Sequence, residues 1–149
     1  MEPASAAAPP RAADRPAWVL VCDDTESIRL LLRINLELAG FEVVETTDGE
    51  AALAVLRAAG DELPSVVVLD AQMLPRDGWW AIAQIRRAPR LTHLPVVMVT
   101  AALQQQERAR ASGAGLDAFV GKPFDPDALV ELVAAFAAEG RHLASPHRP

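Results

Sequence analysis

The chain has 149 residues, 51% hydrophobic and 23% charged, with a formal net charge of -6. A single domain of that length buries roughly 70% of its unfolded surface and needs no staples, and one cysteine, Cys22, excludes an internal disulfide framework or a multi-cysteine metal site. The acidic balance argues against nucleic acid as the main partner, and no apolar run approaches the ~18 residues of a membrane span.

Residues 1–16 (MEPASAAAPPRAADRP) read as a disordered tail rich in proline and alanine, and 140–149 as a second disordered tail. The start lacks the basic-then-apolar pattern of an export signal, so the cytoplasm is the expected compartment. Residues 17–139 alternate between two patterns. Trp18 to Cys22 is an apolar run of the kind that suits a strand covered on both faces. Ile28, Leu31, Leu32 and Leu36 recur at helical spacing, and Gly40 stands where a helix would stop. Phe41 to Thr46 is strand-like. Leu53 and Leu56 mark a helix ending near Gly60. Val66 to Leu69 form a third strand ending in Asp70. A turn from Pro75 to Gly78 leads into a helix carrying Trp79, Ile82 and Ile85. Pro95 opens a strand, Val96 to Val99, that ends in Thr100. Leu103 to Ser112 is a polar helix candidate. Ala118 to Val120 is a short strand before Lys122-Pro123. Asp125 and Asp127 offer a cap to a last helix with Leu129, Leu132, Val133 and Phe136 on one face.

Apolar strands alternating with amphipathic helices predict an α/β fold: a doubly wound, five-stranded parallel sheet with helices on both faces, flavodoxin-like. Ligands of such sheets bind beyond the carboxyl ends of the strands. Asp23 and Asp24 end the first strand, Asp70 the third, Thr100 the fourth and Lys122 the fifth. Of the 14 cationic residues 13 are arginines, so Lys122 is the one compact ammonium in the chain. Each residue alone has an ordinary reading: a helix-end charge, a turn residue, a strand-end threonine, a solvated lysine. Together they predict a site. Three crowded carboxylates repel unless a cation intervenes, and a hard ion with oxygen ligands such as Mg2+ resolves the conflict. Metal, ammonium and hydroxyl then form a receptor for a phosphoryl group, and a carboxylate inside it can act as the nucleophile.

This set resembles the receiver domain of bacterial two-component response regulators, the CheY-like family. The likeness rests on VCDD at 21–24, VVLDAQMLPRDG at 67–78, VTA at 99–101 and KPF at 122–124. It implies that Asp70 is the phosphoacceptor and that Asp23 and Asp24 are the metal-binding acidic pair. It implies that Gln72 adds a backbone carbonyl to the metal and that Lys122 contacts a phosphoryl oxygen. Thr100 would turn its hydroxyl to the phosphoryl group, Ala101 would be small because that position is crowded, and Phe119 would be the switch aromatic. The Lys122-Pro123 bond would be cis. One departure is visible. The family's proline four residues after the phosphoacceptor is Leu74 here, with Pro75 one later, while Asp77-Gly78 keep their distance. The loop is therefore expected to keep its length and change its turn. Trp79-Trp80 is a second departure: one indole should pack inside, the other should be more exposed, as a partner contact or a cover for its own helix.

The resemblance implies a histidine kinase or histidine phosphotransfer protein as phosphoryl donor, and a downstream protein target. The modified state would be read on the surface of the 103–112 helix, the last strand and the last helix. The chain is expected to be a stand-alone receiver, monomeric or weakly dimeric, without nucleic-acid or membrane partners. Other readings are a receiver fragment of a longer regulator and an adaptor that works without phosphorylation. A turnover phosphohydrolase is the enzyme alternative. It would need an acid or base near the phosphoacceptor, where the sequence offers Gln72 and Ala102, so the expectation is only self-phosphorylation and slow loss of the phosphoryl group.

Overall fold

The computed structural model describes residues 16–101 and 113–141. Five strands form one parallel sheet: β1 (Trp18–Cys22), β2 (Glu42–Thr46), β3 (Val66–Asp70), β4 (Val96–Thr100) and β5 (Ala118–Gly121), in the order β2-β1-β3-β4-β5. Four helices lie among the described residues: α1 (Glu26–Leu38), α2 (Gly49–Ala58), α3 (Gly78–Arg87) and α4 (Pro126–Glu139). The polar helix expected over Leu103–Ser112, and most of both tails, fall outside the described residues.

The sheet carries the predicted two-sided burial. Every residue of β3 and β4 is buried, which is why their sequences are continuous apolar runs and not alternations. Alternate side chains feed two separate cores. Leu20, Cys22, Val67, Leu69, Val96 and Met98 pack against α2 and α3 on one face. Val19, Val21, Val66, Val68, Val97 and Val99 pack against α1 and α4 on the other. The edge strand β2 is exposed at Glu42 and Val44 and buried at Val43 between them, and it is buried again at its last residue, Thr46.

Local chemistry sets the helix ends. Asp48, Asp77 and Asp125 each accept a hydrogen bond from a first-turn N–H: Ala51 N at 3.0 Å, Trp80 N at 2.9 Å and Asp127 N at 3.0 Å. Gly40, two residues past α1, has φ +101, a conformation that a side chain would strain. One expected core residue sits differently: on α1, Leu32 and Leu36 are buried, whereas Leu31 is 37% exposed. It lies at the edge of the stripe, where the helix turns from sheet to solvent. Of the two indoles, Trp79 is buried and Trp80 half-buried, with the Arg76 guanidinium 5.1 Å over its ring.

Candidate functional site: an acidic cleft at the carboxyl ends of the strands

The order β2-β1-β3 reverses the direction of the chain's path across the sheet between β1 and β3, which opens a crevice beyond their carboxyl ends. Asp23 follows β1 directly and Asp70 closes β3, so the crevice is acidic by construction. Asp23 is 2% exposed and Asp70 6%, whereas Asp24 faces solvent. Asp23 is held from several sides. Its Oδ1 accepts from Thr25 N at 2.9 Å, its main-chain O accepts from Arg29 Nη1 at 2.8 Å, and its N–H donates to Thr46 O.

Lys122 enters from β5. Its N–H donates to Thr100 O at 2.8 Å, tying the ends of β4 and β5 together. Its Nζ lies 3.1 Å from Asp23 Oδ2 and 3.5 Å from Asp70 Oδ1. Burial and the nearby Asp23 push the Asp70 carboxyl above the usual carboxylate range, and Lys122 pulls it back only in part. One cation is thus shared between two buried acids, with a third acid beside them. Single oxygens of Asp23, Asp24 and Asp70 lie within 4.8 Å of one another. Three hard oxygen donors, two of them buried and short of positive charge, fit a divalent cation such as Mg2+.

A cleft of about 580 Å³ opens over this group, lined by Asp24, Asp70, Gln72, Ala101 and Lys122 among others. Thr100 is buried at the end of β4, and Ala101 is exposed beside it. Phe119 pairs in register with Met98, and its ring centre lies 6.1 Å from that of Trp79. By strand alternation Thr100 shares the sheet face of Met98 and Phe119. All eight sequence-predicted site residues therefore collect at this end of the sheet or on the strand beside it.

The loop from Ala71 to Asp77 carries the displaced Pro75. The Leu74-Pro75 bond is cis, as is Lys122-Pro123. Leu74 is 85% exposed at the cleft mouth, and Met73 is buried beneath it. The loop rests on the start of α2, where Gly49 N donates to Arg76 O at 2.7 Å. A Cβ on Gly49 would come within 2.8 Å of Asp77 O, and one on Gly78 would overlap Asp70 O. Under the loop, Cys22 Sγ donates to Asp48 O at 3.0 Å and approaches Met73 Sδ at 3.4 Å. Burial pushes the Cys22 thiol up to about 12. Sequence reasoning had given Asp48, Gly49 and Cys22 no part in this scaffold. The repeated Asp-Gly step, at 48–49 and 77–78, each opening an apolar-periodic helix, was the available signal.

Comparison with known proteins agrees with this geometry. Residues 19–134 match the family described as "Response regulator receiver domain". The chain is 38% identical over 111 residues to a "Probable transcriptional regulator ycf27" of Pyropia yezoensis, covering 74% of this chain and 43% of that protein. It is 34% identical over 117 residues to the "Phosphate regulon transcriptional regulatory protein PhoB" of Rhizobium meliloti, covering 78% and 50%. The chain thus spans about half the length of these curated relatives. Among solved structures, the chemotaxis response regulator CheY4 of Vibrio cholerae superposes with a TM-score of 0.73 at 28% identity, covering 80% of this chain and 98% of that one. With the sheet order, the strand-end acids and the family match in agreement, the chain belongs to the response-regulator receiver family.

Proposed function

We propose that this receiver accepts a phosphoryl group on Asp70 from the phosphohistidine of a histidine kinase or a histidine phosphotransfer protein. The observation that carries the proposal is the lysine ammonium 3.1 Å from Asp23 and 3.5 Å from Asp70 at the floor of an open cleft. An Asp70 carboxylate oxygen forms the bond to phosphorus. The phosphorus–nitrogen bond breaks, and its electron pair leaves with the imidazole. Asp70 is buried enough to be a poorly solvated nucleophile, yet lines the cleft from which a donor would approach. Lys122 meets the transferred group as a charge-assisted donor. Asp23, Asp24 and Asp70 would hold Mg2+, with the Gln72 carbonyl as a further ligand, and the bound ion would withdraw charge from the phosphoryl oxygens.

The dianion formed on Asp70 then draws the Thr100 hydroxyl, beside the small Ala101, and Phe119 follows into the space released. The altered surface around β5 and α4 is the signal read by a downstream protein. The chain takes one phosphoryl group and releases it slowly, without turnover as an enzyme, because Gln72 offers no strong base beside Asp70. Among the described residues no helix is long and apolar enough to cross a membrane, and a kinase-fed role in the cytoplasm accords with that.

Incubation with a small acyl phosphate or amidophosphate and Mg2+ should add one phosphoryl group to the intact mass. Asp70→Asn should abolish the gain, and an unmodified wild-type mass would refute the proposal. A second reading is favoured by the coverage of its relatives: this chain is the receiver part of a longer transcriptional regulator, in which α4 would lead to the output domain. The same phosphoryl step serves both readings.

A further inference from the structure

Arg141 lies in the stretch that reads from sequence as a disordered tail, yet its guanidinium is bound to the body of the domain. Its Nε donates to Asp117 Oδ1 at 2.8 Å, its Nη1 to Thr92 O at 3.1 Å and its Nη2 to Gly115 O at 3.3 Å. Arg86, on α3, donates to the same three residues. Its Nη2 reaches Asp117 Oδ2 at 2.9 Å, its Nη1 Thr92 O at 3.0 Å and its Nε Gly115 O at 2.9 Å. Two planar forks thus share one set of acceptors, which sits just before the first residues of β4 and β5.

The sharing is unequal. The Arg86 side chain is 15% exposed and that of Arg141 35%. Arg86 donates as well to Leu94 O at 2.8 Å. If Arg141 leaves, Thr92 O and Gly115 O keep Arg86, and Asp117 keeps Arg86 and Val96 N. No acceptor is orphaned, so the departure escapes the penalty that makes most buried ion pairs permanent. It also separates two like charges.

Little else holds the end of α4. Its buried residues are Leu129, Val133 and Phe136. Beyond Phe136, Ala137 is half-buried, and Ala138 and Glu139 are exposed. The last turn carries no basic residue to complement the helix dipole. Gly140, at φ +77, then breaks the helix and turns the chain toward the acceptors, while its N–H donates to Phe136 O at 2.8 Å.

We propose that Arg141 is a releasable clasp, seated in a guanidinium site formed by Asp117, Thr92 and Gly115, which pins the end of α4 to the amino ends of β4 and β5 and opens without unfolding the domain. Shut, it directs the chain out of the domain beside Arg86 of α3. Open, it frees the chain from Phe136 onward. Arg141 therefore sets the point from which any following segment departs. The clasp is independent of the phosphoryl chemistry proposed for Asp70, and no step of that reaction uses it.

The test is amide hydrogen exchange and thermal melting of the full chain, for wild type, Arg141→Ala, Arg141→Lys and Arg86→Ala. Arg141→Ala should speed exchange at Ala137 to Gly140 about tenfold, leave Leu129 to Phe136 protected and keep a melting temperature near that of wild type. Arg141→Lys keeps the charge but not the fork, and should restore only part of the protection. Arg86→Ala should lower the melting temperature of the whole domain. Wild-type exchange in Arg141→Ala would overturn the proposal, since the contact would then hold nothing. Protection lost as far back as Leu129 would overturn it as well, because Arg141 would be a fixed structural pin. So would full protection in Arg141→Lys, which would assign the effect to the helix dipole, or an Arg86→Ala variant no less stable than Arg141→Ala.

Discussion

The two ends of the sheet solve opposite electrostatic problems. At the carboxyl end, three carboxylates surround one ammonium. At the other end, one carboxylate serves two guanidinium groups. Asp117, with its side chain 3% exposed, accepts from Arg86 at 2.9 Å and Arg141 at 2.8 Å, and its Oδ2 also accepts from Val96 N at 2.8 Å. Arg86 further donates to Gly115 O, Thr92 O and Leu94 O. Burial and the neighbouring Arg141 bring its guanidinium down to about 10, still charged at neutral pH. The fork around Asp117 leaves few polar atoms without partners and binds α3 and the end of α4 to β4 and β5. The acidic cleft leaves negative charge in excess. A structural ion network is closed, whereas the cleft, on the function proposed for it, is left short of positive charge so that it can take up a cation and a phosphoryl group.

Three substitutions would break or sharpen this contrast. Asp117→Ala should have the largest effect, because it strands the mostly buried Arg86. We expect a loss of about 3–5 kcal/mol in urea unfolding, with the Mg2+-induced rise in melting temperature retained at the far end. Loss of that metal response as well would show that the two ends are not independent. Lys122→Ala should cost about 2 kcal/mol in metal-free buffer, since two buried acids then face each other unneutralised. Added Mg2+ should restore much of that loss, as measured by thermal melts with and without the ion.

Asp70→Asn should have the smallest effect and the opposite sign: a gain of about 1 kcal/mol without metal. The folded-state carboxyl is raised above its unfolded value, so the charged form is the disfavoured one. The penalty it imposes is present at neutral pH and fades as pH falls through the folded-state value. The stability gap between Asp70→Asn and wild type in metal-free buffer should therefore narrow on acidification. A gap that widens would mean that Lys122 outweighs burial at Asp70.

The cleft was more legible in the sequence than the opposite end, for a physical reason. Asp23, Asp24, Asp70, Thr100 and Lys122 each close an apolar run, and parallel strands bring such ends together whatever their separation in the chain. Asp117 carries no such mark. Its partners lie 31 and 24 residues away, and one of them, Arg141, falls in what reads as a disordered tail. The cis bond at Leu74-Pro75 was foreshadowed only as a changed turn, because the shifted proline is local but the seat of the loop on Gly49 is not.

Cys22 is the sole sulfhydryl of the chain, 1% exposed directly beneath the acid pair and hydrogen-bonded to the segments that frame the cleft from below. An alkylating reagent can reach it only while those segments are parted. The rate of labelling therefore clocks the breathing of the segments beneath Asp70, from one sulfur and with no competing signal.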